Sequence, residues 1–205
     1  MDGRTGMMAP DDGTTLRDLF ETLRQGAVSR RRAVVALTLD GELLTPERQD
    51  ILAGRKPGEF DLLEVRTADP VQFSLATIDG LQAHLQNMVK THQDVTAAVT
   101  AGEYGKTLDK GDACFQGWDI LLRAVRDVGF ICGADFKKID AGGRTMDLRI
   151  RQLQDVLLRF SSCLEFKDVA RVAEIVDHEL RLRLEDWKAV TDALRLHVNR
   201  QGGRS

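Results

Sequence analysis

The sequence predicts an α+β chain: a small ββαβ module followed by an antiparallel four-helix bundle. Three observations carry that prediction. After Pro70, the residues Val71, Ser74, Ile78, Leu81, Leu85, Met88, His92, Val95 and Val99 recur at steps of three and four, the spacing of one buried helical stripe. Asp40-Gly41 separates two apolar runs, and both residue types tolerate the positive φ of a tight hairpin turn. Finally, a shift that lays Leu81 on Met146 also lays Leu85 on Ile150, Met88 on Leu153, Val95 on Phe160, Phe115 on Leu180 and Val125 on Val190. Two helical hairpins of equal loop length produce such a coincidence, with or without common ancestry.

In chain order, residues 1–13 are rich in Gly, Asp and Met without periodicity, which predicts a disordered tail. Residues 14–67 form the small module. Leu16, Leu19, Phe20 and Leu23 share one face of a short helix over 15–26, with Asp18 as capping partner. A basic run at Arg30–Arg32 reads as a solvated connector. Ala33–Leu39 is a strand, Glu42–Leu44 its hairpin partner, and Thr45-Pro46 opens a short helix that ends at Gly54. Residues 60–67 predict a third strand. Three strands are stable only when their apolar face is covered, here by one of the two short helices or by a second subunit.

Residues 68–198 are expected to form the bundle. Asp69-Pro70 is a helix start. A second helix over 103–132 carries Tyr104, Leu108, Phe115, Trp118, Leu122 and Val125 on its stripe. Gly142-Gly143 marks the loop before a third, which buries Met146, Ile150, Leu153, Leu157, Phe160 and Leu164. The last helix, about 168–198, buries Val176, Leu180, Trp187, Val190 and Leu194, and residues 199–205 predict a second disordered tail.

The 205 residues suffice for a sizeable core, and a composition of 42% apolar and 30% charged residues is that of a globular chain. A net charge of −3 argues against a nucleic-acid partner held by phosphate neutralisation. No apolar run predicts a membrane span, and the opening residues predict no secretory signal. Cys114, Cys132 and Cys163 are widely spaced in apolar helical stretches, which suits buried reduced thiols and a cytoplasmic setting.

Chemical motifs are few. Gly102-Glu103-Tyr104-Gly105-Lys106-Thr107 ends like a phosphate-binding loop, but Thr100 stands where that motif needs Gly and a helix precedes it. Glu174 and His178 lie four apart without the second Glu-x-x-His motif that a di-metal bundle requires. No catalytic pair, metal site or cofactor site is therefore expected. His92, the one polar ring on the first long stripe, reads either as a core histidine bonded to a neighbour or as a pH-sensitive or ligand-facing group. Phe73, Phe115, Trp118 and Trp187 are the large anchors, either core or the hot spots of an exposed groove for a partner helix. In the second case Trp118→Ala weakens binding while helicity survives. Gly105, Gly111 and Gly117 mark either close helix approach or a groove.

Val65-Arg66-Thr67-Ala68-Asp69-Pro70, followed by Phe73 and Ile78-Asp79-Gly80, resembles the opening of the flagellar export chaperones that hold flagellin. Lys167-Asp168-Val169, Glu174-Ile175 and Trp187 resemble that family's last helix. The resemblance spans residues 65–198. It implies a bacterial helical bundle whose apolar outer grooves keep an exported or assembling partner soluble. It departs from the family at Ile78, where the family has Tyr, and in the ββαβ module. The leading reading is thus a non-catalytic binding protein that takes an amphipathic helical segment of a protein partner. The alternatives are a homodimeric structural or regulatory subunit, and an enzyme whose site spacing does not reveal.

Overall fold

A computed structural model describes residues 13–202 of the chain, so residues 1–12 of the expected N-terminal tail and 203–205 of the C-terminal one lie outside the described residues. The chain is largely helical with one small antiparallel sheet, and it divides into two compact units, Met1–Phe73 and Ser74–Ser205.

In the first unit, helix α1 (Leu16–Ser29) starts at a capping box. Asp18 N–H donates to Thr15 Oγ1 at 3.3 Å, and Thr15 N–H returns a bond to the Asp18 carboxylate at 3.0 Å. Strand β1 (Ala33–Leu39) turns into β2 (Glu42–Leu43) through Asp40 and Gly41, both at positive φ. Asp40 Oδ1 also accepts from Asp61 N–H at 2.9 Å and Leu62 N–H at 2.8 Å. Helix α2 (Pro46–Leu52) and a 3₁₀ turn (Pro57–Glu59) precede β3 (Leu63–Ala68). The strand expected from residue 60 therefore begins at Leu63. The order is β2-β1-β3, with Leu39 opposite Leu63, Ala33 opposite Ala68, and a bulge between Val34 and Ala36. Leu16, Leu19 and Phe20 of α1 close the sheet's apolar face against Leu37, Leu39 and Leu44.

Helix α3 (Pro70–Thr100) is capped by Asp69, whose carboxylate accepts from Gln72 N–H at 2.8 Å. Its buried stripe is Ser74, Ile78, Leu81, Leu85, Met88, His92, Val95 and Ala98. Gly102, at positive φ, ends the turn into α4 (Tyr104–Ile131). There the buried stripe begins on Thr107, Gly111 and Cys114, while Tyr104 faces solvent. The sequence reading, which follows large apolar residues, overlooks a stripe built from small ones. Gly111 and Gly117 permit close approach: a Cβ at Gly111 would press on Leu164 and Val172, and one at Gly117 on Met88. Gly105 stands in open space and has no such role.

Helix α5 (Met146–Glu165) packs against α4 and against one continuous rod made of α6 (Val169–Glu174), a π-helical segment (Ile175–Leu180) and α7 (Arg181–Gly202). Helix continues through Gly202, so residues 199–202 are not the expected tail. Gln201 Nε2 donates to the Cys132 carbonyl at 2.7 Å, and Cys132 Sγ lies 3.1 Å from Ser74 Oγ, which joins the ends of α7 and α4 to α3. Among the described residues no helix is long and apolar enough to cross a membrane.

Candidate functional site

Next to its core stripe, α3 carries a second one, Val89, Gln93, Thr96 with Ala97, and Thr100, which Ala101 continues in the following turn. These residues also step by three and four, so they form a straight row along the helix. The row faces Val176 and Asp177 of the π-helical segment and Arg181 and Leu184 of α7. Between them runs an open groove of about 650 Å³. A smaller hollow of about 220 Å³ shares Thr96, Thr100 and Asp177 with it and adds Val99, Ala173, Glu174 and His178.

The floor is buried and mostly apolar: Val176, Leu184 and the ring of His92. Val89, Ala97 and Ala101 extend the apolar wall, and Val89 is 41% exposed. Polar groups stand on the rim. Arg181 Nε donates to the Asp177 carbonyl at 2.9 Å and lies 3.8 Å from its carboxylate, and His178 Nδ1 approaches the same carboxylate at 3.8 Å. The π-helical segment fits one extra residue into its turn, and such turns accompany functional sites in many proteins. Here it supplies both Val176 on the floor and Asp177 on the rim.

His92 is the polar group of the floor. Trp118 Nε1–H donates to His92 Nε2 at 3.1 Å, which fixes the remaining imidazole proton on Nδ1. That Nδ1–H is buried and meets no hydrogen-bond partner among the described residues. Burial lowers the imidazole pKa from 6.5 to about 4, so the ring is neutral at neutral pH. Behind it the Trp118 and Trp187 rings meet edge to face, with centroids 6.3 Å apart.

Trp118 and Trp187 are fully enclosed, so they are core residues and not groove anchors. Their size marked them, but size does not report which side of a stripe faces water. Phe115 is half-buried against Phe160, with centroids 6.3 Å apart, and Phe73 is half-buried in the first turn of α3. None of these four aromatics lines the groove. Of the candidate site residues named from the sequence, His92 alone lines it, although Val176, expected on the buried stripe of the last helix, also forms its floor. The residues missed there include Val89, Gln93, Arg181 and Leu184, and the small Thr96, Ala97 and Ala101. Their periodicity was available, but small residues on an outer helical flank carry no hydropathy signal. Glu174 and His178 are exposed at the margin of the hollow, where Glu174 pairs with Arg171.

Two other buried groups have structural roles. Arg149, a cation that periodicity left unnoticed, donates to the carbonyls of Ala141 at 3.0 Å and Gly142 at 3.1 Å and pairs with Asp186. It thereby ties the α4–α5 connection to α7. Burial pushes the Cys114 thiol up to about 12, which leaves it unreactive. Comparison with known proteins adds nothing to these geometric facts: no family model, no curated protein and no solved structure matches the chain.

Proposed function

We propose that the second unit is an antiparallel four-helix bundle that binds a protein partner without catalysis. An amphipathic helical segment of that partner lies in the groove between α3 and the α6–α7 rod. The observation that carries this reading is the straight row from Val89 to Ala101. At the rise of an α-helix it extends for about 18 Å, the length of roughly twelve helical residues. Ala97 and Ala101 lack bulk, so a docked helix can approach closely, while Val89, Val176 and Leu184 meet its apolar face. Such a contact is helix-in-groove recognition, in which residues at three- and four-residue spacing anchor the ligand. The resemblance to flagellar export chaperones points the same way, towards an adaptor that shelters an exported or assembling protein.

Capture from a lysate of the cells that make the protein, followed by mass spectrometry, tests this reading when wild type is compared with the Ala97→Arg, Ala101→Arg double variant. Both alanines are exposed, Ala97 on α3 and Ala101 in the turn that follows it, so arginine there spares the buried stripe and fills the groove with charge. A protein partner retained by wild type and lost from the variant supports the proposal. The same proteins on both, or none on wild type, contradict it.

A further inference from the structure

Independently of the groove, we infer that β3 pairs antiparallel with β3 of a second copy of this chain, Val65 opposite the other copy's Val65, so that two three-stranded sheets join into one of six. β3 is an outer strand of the sheet, and its six residues make a long edge, whereas β2 at the other edge has two. It holds neither proline nor glycine, and the bulge of the sheet lies between Val34 and Ala36, on β1.

The direction of its outer backbone groups follows from the ladder. Leu44 N–H donates to the Leu37 carbonyl and Asp40 N–H to the Leu62 carbonyl, both at 2.8 Å. Odd positions of β1 therefore bond to β2 and even ones to β3. The backbone groups of Glu64, opposite Thr38, and of Arg66, opposite Ala36, are thus turned towards β1, and those of Leu63, Val65 and Thr67 point to the open side. There the Thr67 carbonyl accepts from Arg32 Nη2 at 2.8 Å and keeps a second lone pair.

The side chains select the partner and the register. Leu63 and Val65 pack on the core beneath the sheet, and Glu64 and Arg66 are exposed on the other face. A pairing slipped by one residue would set Val65 against the other copy's Arg66, so odd positions must meet odd ones and even meet even. Of the registers that do so, those centred on Glu64 or on Arg66 place like charges directly opposite, which destabilises a pair of strands. The register centred on Val65 sets Glu64 against the other copy's Arg66 and Arg66 against its Glu64. The strand is its own charge complement. Both contacts fall at non-hydrogen-bonded pairs, where side chains come closest, while each Val65 exchanges N–H···O bonds with its counterpart. Arg66 has a contact within its own chain, and the five N–H donors of a guanidinium accommodate a second carboxylate. A twofold axis supplies the reversed order of charges that a foreign strand would have to match.

Sedimentation of the full chain tests the pairing with charge variants. Wild type is expected to form a concentration-dependent dimer. Glu64→Arg sets arginine against arginine and Arg66→Glu sets glutamate against glutamate, so each should weaken the dimer by roughly tenfold or more. Mixed with one another, the two variants regain opposite charges at both contacts and should form a heterodimer. The Glu64→Arg, Arg66→Glu double variant should dimerise alone. Because substitution at Arg66 also disturbs its contact within the chain, amide exchange in wild type stands beside these measurements. Protection of the Leu63, Val65 and Thr67 amides should rise with protein concentration, and by more than that of Glu64 and Arg66, which β1 already holds. A monomeric wild type overturns the inference, as do single variants that dimerise as tightly as wild type. A mixture of folded variants that stays monomeric, or odd-numbered amides that gain no protection over their even-numbered neighbours, overturns it equally.

Discussion

The imidazole of His92 and the indole of Trp118 hold one another in a fixed arrangement, and the consequences are measurable. His92 titrates near 6.5 in the unfolded chain and at about 4 in the folded one, so between those values the unfolded state binds more protons. Its contribution to stability is complete above pH 6.5 and is lost as pH falls towards 4 and below, on the order of 3 kcal/mol in all. Urea unfolding at a series of pH values should show that decline in wild type, and a flatter curve over the same window in His92→Phe. Parallel curves would mean that another group carries the effect. Trp118→Ala is expected to cost about 3–5 kcal/mol and to shift the denaturation midpoint, because it opens a cavity behind His92. A small shift would place Trp118 at the surface after all. The sequence marked His92 as a polar ring on an apolar stripe, and that much was legible from position. Which of its nitrogens would lack a partner was not, because that depends on a tryptophan on the next helix.

At the scale of elements, the sequence was most informative where large residues repeat. The α3 stripe, the Asp40-Gly41 hairpin and the Asp69 cap are set by local pattern, and each stands where that pattern puts it except at the ends of the stripe, where Val71 and Val99 are half-buried and Ala98 is enclosed instead. The α4 stripe shows the limit. Thr107, Gly111, Cys114 and Gly117 are buried because neighbouring helices come close, a property of the packed pair and not of either segment. The π-helical segment at Ile175–Leu180 left no trace in the heptad count. Gly129 supplies the test at this scale. A Cβ there would fall within the ring of Phe136, which closes over the end of α4. Gly129→Ala should therefore destabilise the protein by about 1–3 kcal/mol, although alanine favours helix over glycine. Equal or greater stability in chemical denaturation would mean that Phe136 swings aside freely.

For the whole molecule, the chain divides after Phe73, within the first turn of α3, whereas composition and periodicity place the change at residues 67–68, and the place of the groove did not follow from the sequence. A groove exists only where two stripes from distant parts of the chain, one on α3 and one on the α6–α7 rod, lie side by side with small residues between them. Trp118 and Trp187 drew attention because burying them contributes most to folding, and for the same reason they are hidden from solvent. In the proposed reading, recognition is left to residues that contribute little to the core. Photo-crosslinking of the captured partner tests this account most directly, with a benzophenone side chain placed at Gln93 on the groove rim or at Leu158, an exposed apolar position on α5. The account predicts a covalent adduct from Gln93 and none from Leu158. An adduct from Leu158 with none from Gln93 would contradict it.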